Sequence, residues 1–342
     1  MDILLSNEWL VTTGGTGTFV YTLAGELTER GHNVYLYTNE WGGLADRICK
    51  DFDVKKYVDK KYDLILANHN TTVKQLYKKG LTIQTCHGKF PLLEQPSKYA
   101  DGHVSISREV QNHLITKNIA STIILNGINC KRFDSFHKLN EKKPIVLSMC
   151  HSVEAHNNVE AAAISLGMGF KKIDKKNNWK WDVEHEINNC DIVVGLGRSA
   201  YEALACGRPL IIYDKRHYSR SIGDGYFLND FFSFMRNNCS GRFSNTNMGV
   251  DELVQELKKY RPEHGVIARD IALNNFNVVS TVNDYLTYFE IVLTAQEYSK
   301  ISNKCKRILF SLLIKIRPFT PKIIRNIGKH IIKDWKRLHE YY

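Results

Sequence analysis

No two cysteines in this sequence lie closer than 16 residues, so the spacings that build zinc sites or redox dithiols are missing. The eight that exist (Cys49, Cys86, Cys130, Cys150, Cys190, Cys206, Cys239, Cys305) read as reduced structural thiols. A membrane-spanning apolar run is missing too, since the longest, Ile308 to Ile316, is half a bilayer span. The opening Met1-Asp2-Ile3-Leu4-Leu5-Ser6-Asn7-Glu8 puts acids where a secretory leader needs bases, so the expected location is cytoplasmic. There is no 20 to 50 residue repeat and no low-complexity tract. Neither G-x-G-x-x-G nor a Gly-Lys-Ser/Thr P-loop occurs, which argues against dinucleotide and P-loop readings.

Among 342 residues, 43% are hydrophobic and 24% charged, enough apolar material for two packed domains. The net charge is +11, yet residues 304–342 hold 11 Lys/Arg against 2 Asp/Glu. The body before them is nearly neutral. Basic charge confined to a tail excludes a general nucleic-acid binder and gives the tail its own partner.

Alternation of strand and helix patterns fixes the fold class. Asp2–Ser6 is a short apolar strand, followed by Thr12-Thr13-Gly14-Gly15-Thr16-Gly17-Thr18 and then by Phe19, Leu23 and Leu27 at helical spacing, with Gly31 as the stop. Further strands are predicted at 34–38, 62–67, 82–85, 103–106 and 122–125, with a helix over 108–117. A charged, aperiodic stretch over 131–143 marks a boundary. The alternation then resumes with strands at 144–148, 168–173, 191–195 and 209–213 and helices at 157–166, 182–188 and 199–206, with weaker helical patterns at 251–260, 265–274 and 282–299. The expected architecture is α/β, two Rossmann-like domains over 1–135 and 140–300, and a basic amphipathic tail over 304–342.

Two strand-to-helix turns carry chemistry. The loop Gly14-Gly15-Thr16-Gly17 exposes backbone N–H groups at a helix start, where an anionic or polyhydroxyl ligand can approach closely. A tight turn with no ligand fits it equally well. In the second half, a buried strand ends in Gly195-Leu196-Gly197-Arg198-Ser199, and Glu202 lies on the first turn of the helix that follows. An anion there could use backbone amides, the Ser199 hydroxyl and the Arg198 guanidinium, with Glu202 accepting from ribose hydroxyls. A bare helix dipole would also favour the acid, and a solvated loop charge would also explain the arginine. Asp51-Phe52-Asp53, the one D-x-D, lies in a lysine-rich stretch and reads as surface charge.

The run Glu202-Ala203-Leu204-Ala205-Cys206-Gly207-Arg208-Pro209-Leu210-Ile211 resembles the Glu-Ala-Met-Ala-Cys-Gly-x-Pro-Val-Ile helix of the GT-B glycosyltransferases of the group 1, family 4-like superfamily. The early glycine loop, Cys86-His87-Gly88, Asp101 to Val110 and Asn126-Gly127-Ile128-Asn129 agree with the same family, so the likeness covers about residues 1–225. It implies transfer of a hexosyl-type unit from a nucleotide diphosphate sugar to a glycan or lipid-linked acceptor, with retention at the anomeric carbon and no required metal or other cofactor. By position it implies Glu202 on the donor ribose, Gly197, Arg198 and Ser199 on the diphosphate, His87 on the sugar-facing wall, and Gly14, Gly15, Thr16 and Gly17 in the interdomain cleft. Catalytic roles fall on His87 and Arg198.

Two departures from the family pattern stand out. Val194 replaces the acid usual eight residues before the ribose glutamate, and Ser148 to His156 lacks the usual basic pair, leaving Arg198 with Lys215, Arg216 or Arg220 to meet the phosphate charge. These gaps keep open a catalytically silent scaffold or glycan-binding subunit, and an epimerase of nucleotide sugars is a third alternative. In the tail, Ile323, Ile324, Ile327, Ile331, Trp335 and Leu338 fall within an arc of about 120° opposite the basic residues. Such a helix suits an anionic membrane surface, hence a peripheral association, while a helix docked back on the first domain is the alternative. No nucleic-acid partner is expected.

Overall fold

The computed structural model describes residues 1–173 and 181–300, so the amphipathic tail expected at 304–342 lies outside the described residues. Residues 1–286 form one compact unit containing two β-sheets, and the described residues beyond it, 287–300, are the rest of the last helix.

The first sheet takes β1 (Asp2–Leu10), β2 (Asn33–Trp41), β3 (Lys55–Lys56), β4 (Leu64–Ala67), β5 (Leu81–Cys86), β6 (Gly102–Ser105) and β7 (Thr122–Ile123) in the order 3-2-1-4-5-6-7, all parallel. Ile3, Leu4 and Leu5 are buried in succession, as a parallel strand covered on both faces requires. Helix α1 (Gly15–Glu29) buries Phe19, Val20, Leu23, Ala24 and Leu27 on one face, and Gly31, at φ +79, supplies the left-handed residue that ends the turn. Helices α2 (Gly43–Phe52), α3 (Asn70–Leu76) and α4 (Arg108–Ile115) complete this half, the last capped by the Ser107 hydroxyl accepting from Val110 N.

The second sheet takes β8 (Ile145–Ser148), β9 (Gly169–Lys172), β10 (Ile192–Gly195), β11 (Leu210–Tyr213) and β12 (Gly223–Tyr226) in the order 12-11-10-8-9, parallel except β12. Around it lie α5 (Val153–Ser165), α6 (Val183–Asn188), α7 (Arg198–Ala205), α8 (Phe231–Arg236), α9 (Val250–Leu257), α10 (His264–Asn275) and α11 (Val278–Lys300). The start of α11 returns to the first half: Val278 N donates to Ile128 O, and the Tyr285 hydroxyl meets Thr85 Oγ1 at 2.8 Å.

The expected α/β architecture with two Rossmann-like sheets is present. The strands β3 and β12 and the helices α2, α3 and α8 were not legible in the pattern. Helix α2 buries only Leu44, Ala45 and Ile48, too narrow a stripe to stand out. Strand β12 reads Gly-Asp-Gly-Tyr and exists because Ile211 and Ile212 pair with it. The D-x-D falls at the end of α2, where Asp51 accepts from Tyr21 Oη at 2.8 Å and from Arg47, and Asp53 occupies the left-handed cap.

Candidate functional site

In each sheet the strand order reverses beside one strand, between β1 and β4 in the first and between β8 and β10 in the second. Open α/β sheets bind ligands at the carboxyl ends of strands at such reversals. Here a single cleft of about 460 Å3 takes residues from both: Thr13 to Thr16 after β1, His87 after β5, Met149 and His151 after β8, and Leu196 to Ser199 after β10.

On the first wall, Gly14 and Gly15 face the cleft with no atom within 4 Å of where a Cβ would sit. Packing does not demand glycine there, and the open backbone is what a ligand would approach. Thr16 lines the cleft with them, whereas Gly17 turns inward, its would-be Cβ 2.7 Å from Leu44 Cδ2. His87 Nε2 shares a hydrogen bond of 2.9 Å with Asn68 Oδ1, and the Phe19 ring meets the imidazole edge-on at 4.9 Å. Burial pushes the imidazole down to about 3, so it is neutral at physiological pH.

The second wall is built at the start of α7. Gly197, at φ +58, makes the left-handed turn from β10 into the helix. Arg198 Nε donates to Glu202 Oε1 at 2.8 Å, Nη2 to Thr22 Oγ1 of α1 at 2.8 Å, and Nη1 to Gly127 O at 3.4 Å. One buried guanidinium therefore ties the two halves together while paired with the acid one turn on. Burial pushes Glu202 up against the pull of Arg198, and pushes Arg198 down against the pull of Glu202. Ser199 lines the cleft beside them.

Of the three further cations suggested for phosphate, only Arg216 lines this cleft; Lys215 is bound to Glu154 and Arg220 lies outside it. Arg216 Nε donates at 2.6 Å to Asp214, a fully buried carboxylate that also accepts from His151 N and Ser152 N.

No sequence-family model matches the chain, and no curated protein matches it in sequence. Solved structures do. A glycosyltransferase from Rickettsia africae is 15% identical over 88% of this chain and 99% of its own, with a TM-score of 0.59. AviGT4, involved in avilamycin A biosynthesis, is 13% identical over 86% of this chain and 98% of its own, at 0.52. A TarM variant of S. aureus, crystallised with UDP and alpha-GlcNAc-glycerol, is 10% identical over 84% and 99%, at 0.51. The chain has the GT-B fold.

Sequence reasoning missed several residues that the GT-B fold brings to the cleft. Arg132 pairs with Glu184 at 2.9 Å and lies 5.0 Å from the Trp181 ring, which meets Tyr21 edge-on. Arg242 Nη2 reaches Glu109 Oε2 at 2.5 Å, and Lys89 reaches the same carboxylate at 2.8 Å, so one acid of the first half holds a cation from each half. Asn126 Oδ1 and Ser240 Oγ line the cleft buried and without a hydrogen-bond partner. Glu94 completes the first wall. Arg242 and Glu94 sit in loops with no periodicity, so nothing in the local pattern pointed to them.

Proposed function

We propose that this chain is a glycosyltransferase that moves a sugar from a nucleotide diphosphate donor to a glycan or lipid-linked acceptor. The observation that carries the reading is the cleft itself, with an open glycine loop at one sheet reversal and Gly197, Arg198, Ser199 and Glu202 at the other. In this reading the amides at the start of α7 and the Ser199 hydroxyl hold the diphosphate, and Arg198, Arg216 and Arg242 offset the charge that develops on it, the electrostatic task a divalent metal performs in other transferases. Glu202 takes the ribose hydroxyls, and neutral His87 offers a hydrogen bond to the sugar. His87 is too weakly basic to carry a proton at neutral pH. The decisive experiment is a thermal-shift panel of UDP, GDP, ADP and dTDP sugars with and without EDTA, followed by release of the nucleotide diphosphate from any hit. A shift unaffected by EDTA is expected; no shift from any member overturns the reading.

The chain is also proposed to work at an anionic membrane surface through residues 304–342, on their charge and apolar arc. No helix among the described residues is long and apolar enough to cross a membrane. Deleting 304–342 should leave the melting temperature of the rest within a few degrees while abolishing sedimentation with anionic vesicles. Binding by the full chain should fall as salt rises. Salt-insensitive binding, or aggregation of the shortened chain, would count against the anchor.

A further inference from the structure

Among the described residues few buried side-chain polar atoms go without a hydrogen-bond partner, and two of them, Asn126 Oδ1 and Ser240 Oγ, belong to residues lining the cleft. Each residue is only 8% exposed. An unpaired buried oxygen is a cost that folded chains avoid, so two at one cleft call for a group that arrives from outside. Both stand against the same turn. Asn126 precedes Gly127, whose carbonyl accepts from Arg198 Nη1 at 3.4 Å, and Ser240 follows Cys239, whose carbonyl accepts from Gly197 N at 2.9 Å.

Ser240 is held there by a strained backbone. Around it Asn238, Cys239 and Gly241 all have positive φ, +56, +46 and +69, and Cys239 is fully buried. A left-handed residue with a Cβ persists where its neighbours fix it. Here Cys239 N donates to Phe234 O, Ile222 N donates to Gly241 O, and the Asp224 carboxylate accepts from Phe243 N and Ser244 N. The serine is thus carried by a braced loop.

The chain's topology says which end of a ligand this loop meets. With a diphosphate at the Gly197 to Ser199 turn, the nucleoside and the sugar leave it on opposite sides. Glu202 draws the nucleoside towards Arg132 and Glu184, which act on its carboxyl and pair with each other beside Trp181. The opposite end is built by the loops after β11 and α8, where Arg242 Nη1 donates to Ser219 O at 3.1 Å and Nη2 reaches Glu109 of α4. Helix α4 follows β6, and β6 pairs with β7, the strand that leads to Asn126. Asn126 and Ser240 therefore belong to the end away from Glu202. Strand β10 offers nothing polar to compete with them, since Val194 is fully buried and Gly195, Leu196 and Gly197 follow it.

We propose that Asn126 and Ser240 bind hydroxyls of the donor's sugar and decide which nucleotide sugar the cleft accepts, a reading that rests on the glycosyl-transfer function above. Asn126 Oδ1 accepts from one sugar hydroxyl, and the Ser240 hydroxyl donates to or accepts from another. Both groups are neutral, so they read where hydroxyls stand rather than charge.

The nucleotide sugar that gives the largest thermal shift is the probe, together with its bare nucleotide diphosphate. In titration calorimetry Ser240→Ala and Asn126→Ala should each weaken the nucleotide sugar about fivefold, the loss of one neutral hydrogen bond, and leave the bare diphosphate within about twofold. Preference among the sugars carried on that nucleotide should narrow in both variants. Losses equal for the two ligands, or absent for both, overturn the proposal while wild-type donor binding leaves the transferase reading standing. If no nucleotide sugar binds the wild type, both fall.

A readout without ligand guards the premise. A hydroxyl with no partner does not hold the free fold together, so Ser240→Ala should melt within about 1 °C of wild type or above it, and fall below wild type only when both are saturated with the nucleotide sugar. A drop of several degrees in the free protein would mean that Ser240 is bonded internally, and that too overturns the proposal.

Discussion

The two walls of the cleft solve opposite problems. The second sheet's wall is built from cations whose partners were supplied in advance: Arg198 on Glu202, Arg216 on Asp214, Arg132 on Glu184. Burying those arginines alone would be costly, and pairing them fixes their directions before any ligand arrives. The first sheet's wall has open backbone at Gly14 and Gly15, a neutral His87 and a lone carboxyl at Glu94. In the proposed reading one side meets a stable negative charge and the other meets hydroxyl groups.

The largest effect should come from breaking the pair that most closely defines the second wall. Glu202→Ala leaves the Arg198 guanidinium, 13% exposed, without its carboxylate, so denaturant unfolding should show a loss of about 3 kcal/mol. Glu202→Gln keeps an acceptor for Arg198 Nε and should lose less than half of that, while weakening nucleotide binding almost as much as Ala does. Equal stability losses for the two variants would mean that packing, not the ion pair, holds this turn.

How much of this was readable in advance differs between the walls for a physical reason. At Gly195 to Ile211 a buried strand, a glycine turn and an amphipathic helix follow one another, so Arg198, Ser199 and Glu202 could be located together from spacing. What the spacing could not show is that Arg198 reaches Thr22, 176 residues earlier, and thereby joins the two halves. Gly14, Gly15 and Thr16 were legible in the same way, but Gly17 belongs to the packing against Leu44. Arg242, Arg132 and Glu94 arrive from loops whose positions depend on the whole fold, through long-range contacts such as Arg242 to Glu109. Local periodicity contains no record of such contacts.

Between the walls stands the Lys89, Glu109 and Arg242 cluster, with side chains 32%, 11% and 15% exposed. Arg242→Gln removes one of two cations on Glu109, and Lys89 continues to hold the carboxylate, so the stability loss should stay at about 1 kcal/mol. If Arg242 also meets the leaving diphosphate, turnover should fall by more than that loss predicts, with the steeper drop at low salt. Turnover that tracks stability alone would confine Arg242 to holding the halves together.

The smallest change in stability is expected at the barest point of the first wall. Gly14 caps α1 with an extended backbone at φ −149, which alanine adopts freely, and no atom lies within 4 Å of the added methyl. Gly14→Ala should therefore shift unfolding by less than about 0.5 kcal/mol. The methyl does occupy the space through which a ligand would reach the α1 amides. If the second wall alone holds the donor, nucleotide affinity and turnover will both be unchanged. If the donor's sugar or the acceptor rests on this loop, turnover will fall several-fold while affinity for the bare nucleotide diphosphate stays the same, because the proposed function puts the nucleotide across the cleft at Arg198, Ser199 and Glu202. A drop in affinity for the bare diphosphate would move the phosphate to the first wall and reverse the assignment of the two sides.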